Sequence, residues 1–246
     1  MIVRVAVVPH PPLLVPELAA GAAAETAALR EACLAAASAL AQQCAKWVAV
    51  AAVDPAAGTG AAGSFAGYGV DINVALRPNV TPADRTELPL PLLTAAWLRG
   101  QVGAAHITVA LSAVPPGSNP AQCRRIGTEL GQRLRRDGDP VGLLVLGDGA
   151  ATHTLRAPGY LDSRAHRLDE AVAQALATAD FNALLELDAT LTSELLVAGR
   201  EAWQAGAAAA QSLAPVYRSE LLYSAAPYGV AYHVALWEAV SPVSPA

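Results

Sequence analysis

Two short apolar runs, separated by one long amphipathic stretch, constrain this chain more than anything else in it. Ile2 to Val8 is a β-branched and apolar run broken only by Arg4, and it reads as a buried strand. It has to end at Pro9, because the prolines that follow at Pro11 and Pro12 fix φ and supply no backbone donor. Residues 22–46 then place Leu29, Cys33, Ala36, Leu40 and Cys44 at steps of three and four, the spacing of one apolar helical face. Trp47 to Val53 is a second apolar strand that closes at Asp54-Pro55. A strand, a helix and a strand in this order predict a right-handed crossover with both strands parallel in one sheet.

The remainder of the chain repeats the theme. A glycine-rich segment, residues 56–69, contains Gly58-x-Gly60-x-x-Gly63 but leads from Ser64–Tyr68 into a strand-like run, Val70 to Leu76. A dinucleotide fingerprint needs its glycines to open a helix, so the segment reads instead as a mobile loop expected to overhang a site after Asp54. A helix near Leu92–Gly100 and a strand Ile107–Leu111 follow, the strand closing at Ser112. Asn119-Pro120 is a helix start, and Cys123, Ile126, Leu130 and Leu134 form the inward face behind it. Val141 to Leu146 is the next buried strand. Leu161, Ala165, Leu168, Val172 and Ala175 mark a helix started by Asp162, and Asp180 and Asp188 open two more. The tail returns to strands at Val216–Tyr223 and Gly229–Trp237. No internal repeat or linker divides the chain. The expectation is a single α/β domain over residues 1–246, with a central mostly parallel or mixed sheet flanked by helices.

Composition narrows the function classes. Hydrophobic content of 54% against 15% charged residues provides ample core, and a net charge of -5 lacks the basic footprint that nucleic acid requires. Three cysteines without CxxC spacing argue against a disulfide framework or a zinc finger, and suit a cytoplasmic location. No signal peptide is recognisable, and no uninterrupted apolar run reaches the ~18 residues of a membrane span. The partner expected is a small molecule, with no nucleic acid and no membrane, and self-association into a homo-oligomer stays open.

Ligands of open, mostly parallel sheets bind beyond the carboxyl ends of the strands. The polar residues just past the strand ends are His10, Asp54, Ser112, Asp148 and His153, which should gather along one sheet edge. His10, held between prolines, has little backbone freedom, which suits a ligand or an acid/base group. Two histidines and two carboxylates from separate strands match the residue types of a 2-His-1-carboxylate site, which leaves coordination positions open for substrate and oxygen. His166 lies on a polar helix face, whereas His106 at a strand start and His233 between Ala231 and Ala235 read as structural. A serine hydrolase is set aside, because no Gly-x-Ser-x-Gly elbow occurs.

The string VVPHPPLLVPE resembles the opening of class III extradiol ring-cleavage dioxygenase catalytic (B) subunits, the protocatechuate 4,5-dioxygenase beta-subunit-like group. Gly149 to His153 is similar to that group's Gly-Asp-Leu-Ser-His string, with Thr152 in place of serine and Ala150 in place of aspartate. Pro227-Tyr228-Gly229-Val230-Ala231-Tyr232 is similar to its Pro-Phe-Gly-Val-Gly-Tyr. The resemblance implies a B-subunit-like fold, His10 as an iron ligand, His153 as the acid/base, and an oxidoreductase opening a catechol-type ring with Fe(II) or another divalent metal. The departures are specific. Where the group has Ser-Pro-His after the second strand, this chain has Ala51-Ala52-Val53-Asp54-Pro55, and where it has a glutamate ligand, this chain has Ala225. Asp54 and Asp148 are the carboxylates left to stand as metal ligands beside His10. The expected outcomes are therefore a divergent dioxygenase-like enzyme, or a descendant that keeps the pocket and binds a small molecule or protein partner without iron.

Overall fold

The computed structural model describes residues 1–240 apart from positions 20, 22, 58, 59, 104, 214 and 215. The opening residue of the expected first helix, and the first two of the glycine-rich motif, thus lie outside the described residues. Eight strands and eight helices are named in chain order. Strands β1 (Ile2–Val8), β2 (Lys46–Ala52), β5 (Thr108–Val114) and β6 (Val141–Leu146) run parallel. β8 (Tyr232–Val240) pairs antiparallel with β1, and β7 (Val216–Ala225) pairs antiparallel with β8 on the outside. The order across the mixed sheet is β5-β2-β6-β1-β8-β7. Short strands β3 (Ala62–Ser64) and β4 (Asn73–Ala75) form a separate ribbon.

β1 and β6 sit in the middle and are buried on both faces, which explains their near-continuous apolar runs. Alternate residues feed two cores. Ala6 and Val8 meet Leu29, Cys33 and Leu40 of α2 (Ala27–Gln43) and Leu92 and Leu98 of α3 (Leu90–Gln101). Val5 and Val7 face α4 (Pro120–Asp137), α5 (Arg164–Thr178), α6 (Phe181–Leu185) and α8 (Arg200–Gln211). Arg4, the one charge in β1, is mostly buried, where it donates to the Ala39 carbonyl at 2.7 Å and pairs with Glu238 across β8.

Several helix starts are where side chains dictate. Asn119 and Gln122 form a capping box on α4, with Pro120 in the first turn and Gly138 left-handed at the far end. Asp180 and Asp188 cap α6 and α7 (Ala189–Glu194) through Ala183 N and Leu191 N. Other boundaries differ from expectation. α2 begins at Ala27 and ends at Gln43, so Cys44 is a buried residue beyond the helix. Within Val70 to Leu76 only the three residues of β4 are strand, the rest being irregular, and β5 runs on to Val114, so Ser112 lies inside the strand. α5 starts at Arg164 with Ser163 in the N-cap position, one residue later than a helix opened by Asp162, whose Oδ1 accepts from Arg164 N.

α8 was not among the helices expected from the sequence. Its residues Ala202–Ala210 are all buried, Gln204 among them with its amide donating to the Leu185 and Leu187 carbonyls. It packs backbone to backbone on α4, where a Cβ at Gly127 would lie 2.1 Å from the Ala205 carbonyl oxygen. No helix among the described residues is long and apolar enough to cross a membrane.

Candidate functional site

The parallel strands β1, β2 and β6 all end at one sheet edge, and because β8 runs the other way its first residues, with the last of β7, share that edge. There Asp169 projects from the second turn of α5 into the sheet. It is 94% buried, with a relative exposure of 6%. Its carboxylate accepts from three directions. His153 Nε2 lies 2.6 Å from Oδ2, His233 Nε2 lies 3.1 Å from Oδ1, and the Ala150 amide lies 3.2 and 3.3 Å from the two oxygens. On the far side of the His233 ring, Nδ1 lies 3.0 Å from the Ser224 hydroxyl.

Each position follows from local structure. Ser224 and His233 are direct cross-strand partners in the β7–β8 ladder, which places their side chains on the same face. His153 sits in the loop after β6, held by its own amide to the Gly229 carbonyl (3.1 Å) and by Asp162 N to Thr152 O (2.9 Å). Gly149 is required by the close approach of α5. A Cβ there would stand 2.5 Å from Asp169 Oδ1 and 2.7 Å from the Ala231 methyl.

The hydrogen-bond directions fix the tautomers. An ionised carboxylate only accepts, so both imidazoles carry their proton on Nε2 when neutral. His233 Nδ1 is then an acceptor, and Ser224 donates to it. His153 Nδ1 is likewise a lone pair, and it has no hydrogen-bond partner among the described residues. The array opens into a cleft of about 620 Å³ between α5 and the β7–β8 pair. His166 and Glu170 stand at its rim, 3.2 Å apart, and the His166 ring meets His153 edge-on at 6.4 Å. Among the described lining residues there is no lysine or arginine, so the ionisable groups of the wall are carboxylates and imidazoles.

The residues expected from sequence divide into two groups. His153 joins the Asp169 array. His10 and Asp148 form a separate pair, in which the His10 amide donates to Asp148 Oδ1 at 2.8 Å and the ring Nδ1 stands 3.4 Å from the same oxygen. The His10 carbonyl accepts from Thr94 of α3, and neither residue lines the Asp169 cleft. Asp54 follows β2 at the same sheet edge but is exposed, and its Oδ1 caps the Ala56 amide at 2.8 Å. The loop after it lines a different recess, with Ala57, Ser64, Gly67 and Tyr68 beside Leu88 and Leu93. His106 is exposed just before β5, and His166 is solvated as expected.

A three-ligand iron centre does not fit these residues. His10 Nδ1 is a buried nitrogen without a hydrogen-bond partner, which suits a ligand, but only Asp148 stands near it. Asp54 is turned to its own loop, and no group of three His, Cys, Asp or Glu able to hold an ion occurs among the described residues.

Two members of the array escaped the sequence reading. Asp169 lies among Ala165, Leu168, Val172 and Leu176 on the buried side of α5. A carboxylate at a core-facing helical position was the available signal, since such a charge needs partners. His233, between Ala231 and Ala235 in a strand, reads as structural from sequence, because its partners come from α5 and β7.

No family model and no curated protein matches this chain. Among solved structures, the crystal structure of uncharacterized protein JW3007 from Escherichia coli K12 is similar at a TM-score of 0.54. It covers 96% of this chain and 99% of that one at 13% sequence identity, a likeness of fold over the whole chain.

Proposed function

We propose that this protein is a divergent relative of class III extradiol dioxygenase catalytic subunits that binds a small catechol-type aromatic beside His153 and moves a proton there. The observation that carries this reading is the buried Asp169 carboxylate, which orients the His153 imbidazole so that its unpartnered Nδ1 is the basic atom. A carboxylate behind a histidine holds the ring in one tautomer and stabilises the imidazolium that forms when the ring takes a proton. The motif similarity around His10, Gly149–His153 and Pro227–Tyr232 supports the ancestry. The cleft volume suits a single aromatic ring with substituents, and the absence of lining cations favours neutral phenols over carboxylates.

Ring opening in the dioxygenase group requires iron, and the ligand set that would hold it does not converge in this chain. The activity proposed here is accordingly limited to binding and proton transfer by the chain's own residues. Calorimetric titration with catechol, alongside iron analysis of protein purified without chelators, tests it. The expected result is saturable catechol binding that is lost in His153→Ala, with little iron and no ring-opened product. Failure of catechol to bind would overturn the reading. Near-stoichiometric iron, lost in His10→Ala, would restore an iron-dependent dioxygenase in its place.

A further inference from the structure

The Asp169 array has a second exit to solvent. Ser224 is exposed at the end of the edge strand β7, on the wall of the same cleft, and its hydroxyl points inward at His233. His233 is 1% exposed, so the ring beneath the serine is shielded from water, and its other nitrogen is anchored on the buried Asp169. Serine, imidazole and carboxylate are therefore linked in series at 3.0 and 3.1 Å. We infer that Ser224 is an activated nucleophile for acyl transfer, with His233 as its general base and Asp169 as the group that orients the base. This site shares its cleft with the reading above but neither its ligand nor its basic atom.

The ring is used in the opposite sense to the familiar serine triads, with Nδ1 toward the serine and Nε2 toward the carboxylate. An imidazole transfers a proton through either nitrogen, so the order does not alter the chemistry. No nucleophile elbow is needed, because the cross-strand pairing of Ser224 with His233 already sets the contact. Gln174 of α5 lines the cleft and offers a side-chain amide that makes no hydrogen bond among the described residues. It is exposed, so it is free to turn toward an oxyanion that develops in the cleft.

The step balances as follows. Ser224 Oγ attacks the carbonyl carbon of a small ester, forming the Oγ–C bond while its proton passes to His233 Nδ1. The bond from carbon to the leaving oxygen then breaks, and that oxygen takes the proton from His233 and departs as the alcohol. Water attacks the acyl-serine, its proton goes to His233, the Oγ–C bond breaks, and the serine oxygen recovers the proton as the carboxylic acid leaves. No oxidant, reductant or other co-reactant is involved.

A fluorophosphonate tests this on the full chain, since attack by Ser224 forms an Oγ–P bond and expels fluoride. The expected result is one phosphonyl adduct per chain, mapped by mass spectrometry to the peptide carrying Ser224 and absent in Ser224→Ala. Because Ser224 is exposed, that variant tests reactivity rather than folding. Asp169→Asn, checked for a retained circular dichroism spectrum, should slow labelling by about two orders of magnitude or more, an effect that a merely structural serine–histidine contact would not produce. An unlabelled parent chain, an adduct at another residue, or equal labelling of Ser224→Ala would overturn the assignment. Catechol binding is measured separately, so a chain that binds catechol but takes no label loses only the serine assignment.

Discussion

Removing the Asp169 side chain should be among the most damaging single changes at this site, and the structure sets its size. Asp169→Ala strands the His233 Nε2–H and the Ala150 N–H, both fully shielded, and leaves the partly exposed His153 to find water. Each buried donor without an acceptor costs about 1–3 kcal/mol, so the two together cost about 2–6 kcal/mol. A chain of this size loses about 2–4 °C of Tm per kcal/mol, which places the expected drop on the order of 10 °C. Asp169→Asn is different in kind. Its amide offers one acceptor oxygen and an NH2 group that only donates, so one imidazole must present a lone pair to the amide nitrogen. His153 can do so by moving its proton to Nδ1, which has no competing partner among the described residues. The asparagine variant should therefore keep most of the stability, within about 1–2 kcal/mol of the parent, because its hydrogen bonds can be remade. Differential scanning calorimetry of the parent and both variants reads the difference. Equal Tm values for the two variants, or an alanine variant within ~2 °C of the parent, would refute a shared, buried carboxylate as the organising group.

Other expectations follow from the same structure. Gly149→Ala should lose about 1–3 kcal/mol and weaken catechol binding, read by thermal melts and titration, because its methyl would be driven against Asp169 Oδ1 at 2.5 Å. The guanidinium groups of Arg218 and Arg4 hold Glu238 down to about 2 from its usual value of 4.5. The stability this contributes is present above the usual value and is lost as pH falls from 4.5 toward 2, so Glu238→Gln should match the parent in acid and fall below it at neutral pH in urea melts. Burial pushes the Cys44 thiol up to about 11 and the Cys33 thiol higher still, so both should resist a disulfide reagent at neutral pH until the chain unfolds.

The architecture was legible because it rests on local signals. The buried run of β1, the prolines that end it, the Asn119 cap of α4 and the aspartates before α6 and α7 each act within a few residues of themselves. α8 was missed although Arg200, Gln204 and Gln211 fall on one side of it at helical spacing, because most of its other positions are alanine or glycine and resemble the alanine-rich segments elsewhere in the chain. The site was legible in part for a related reason. His10, Asp54 and Asp148 do follow strands that end at one edge, but where each side chain turns is decided by partners distant in the chain. Asp54 is claimed by its own loop, His10 and Asp148 by one another, and His153 by a carboxylate from α5. The 16 residues from His153 to Asp169 and the 64 from Asp169 to His233 carry no spacing rule that announces the array.

The central claim is that Asp169 holds both imidazoles with their protons on Nε2 and leaves Nδ1 of the cleft-lining His153 as the basic atom. Long-range proton–nitrogen NMR of histidine-labelled protein reads ring tautomers directly, before and after addition of catechol. The account predicts Nε2–H tautomers for neutral His153 and His233, and a saturable shift of the His153 Nδ1 resonance as catechol is added. A His153 ring protonated on Nδ1 alone, or one indifferent to catechol, would contradict it.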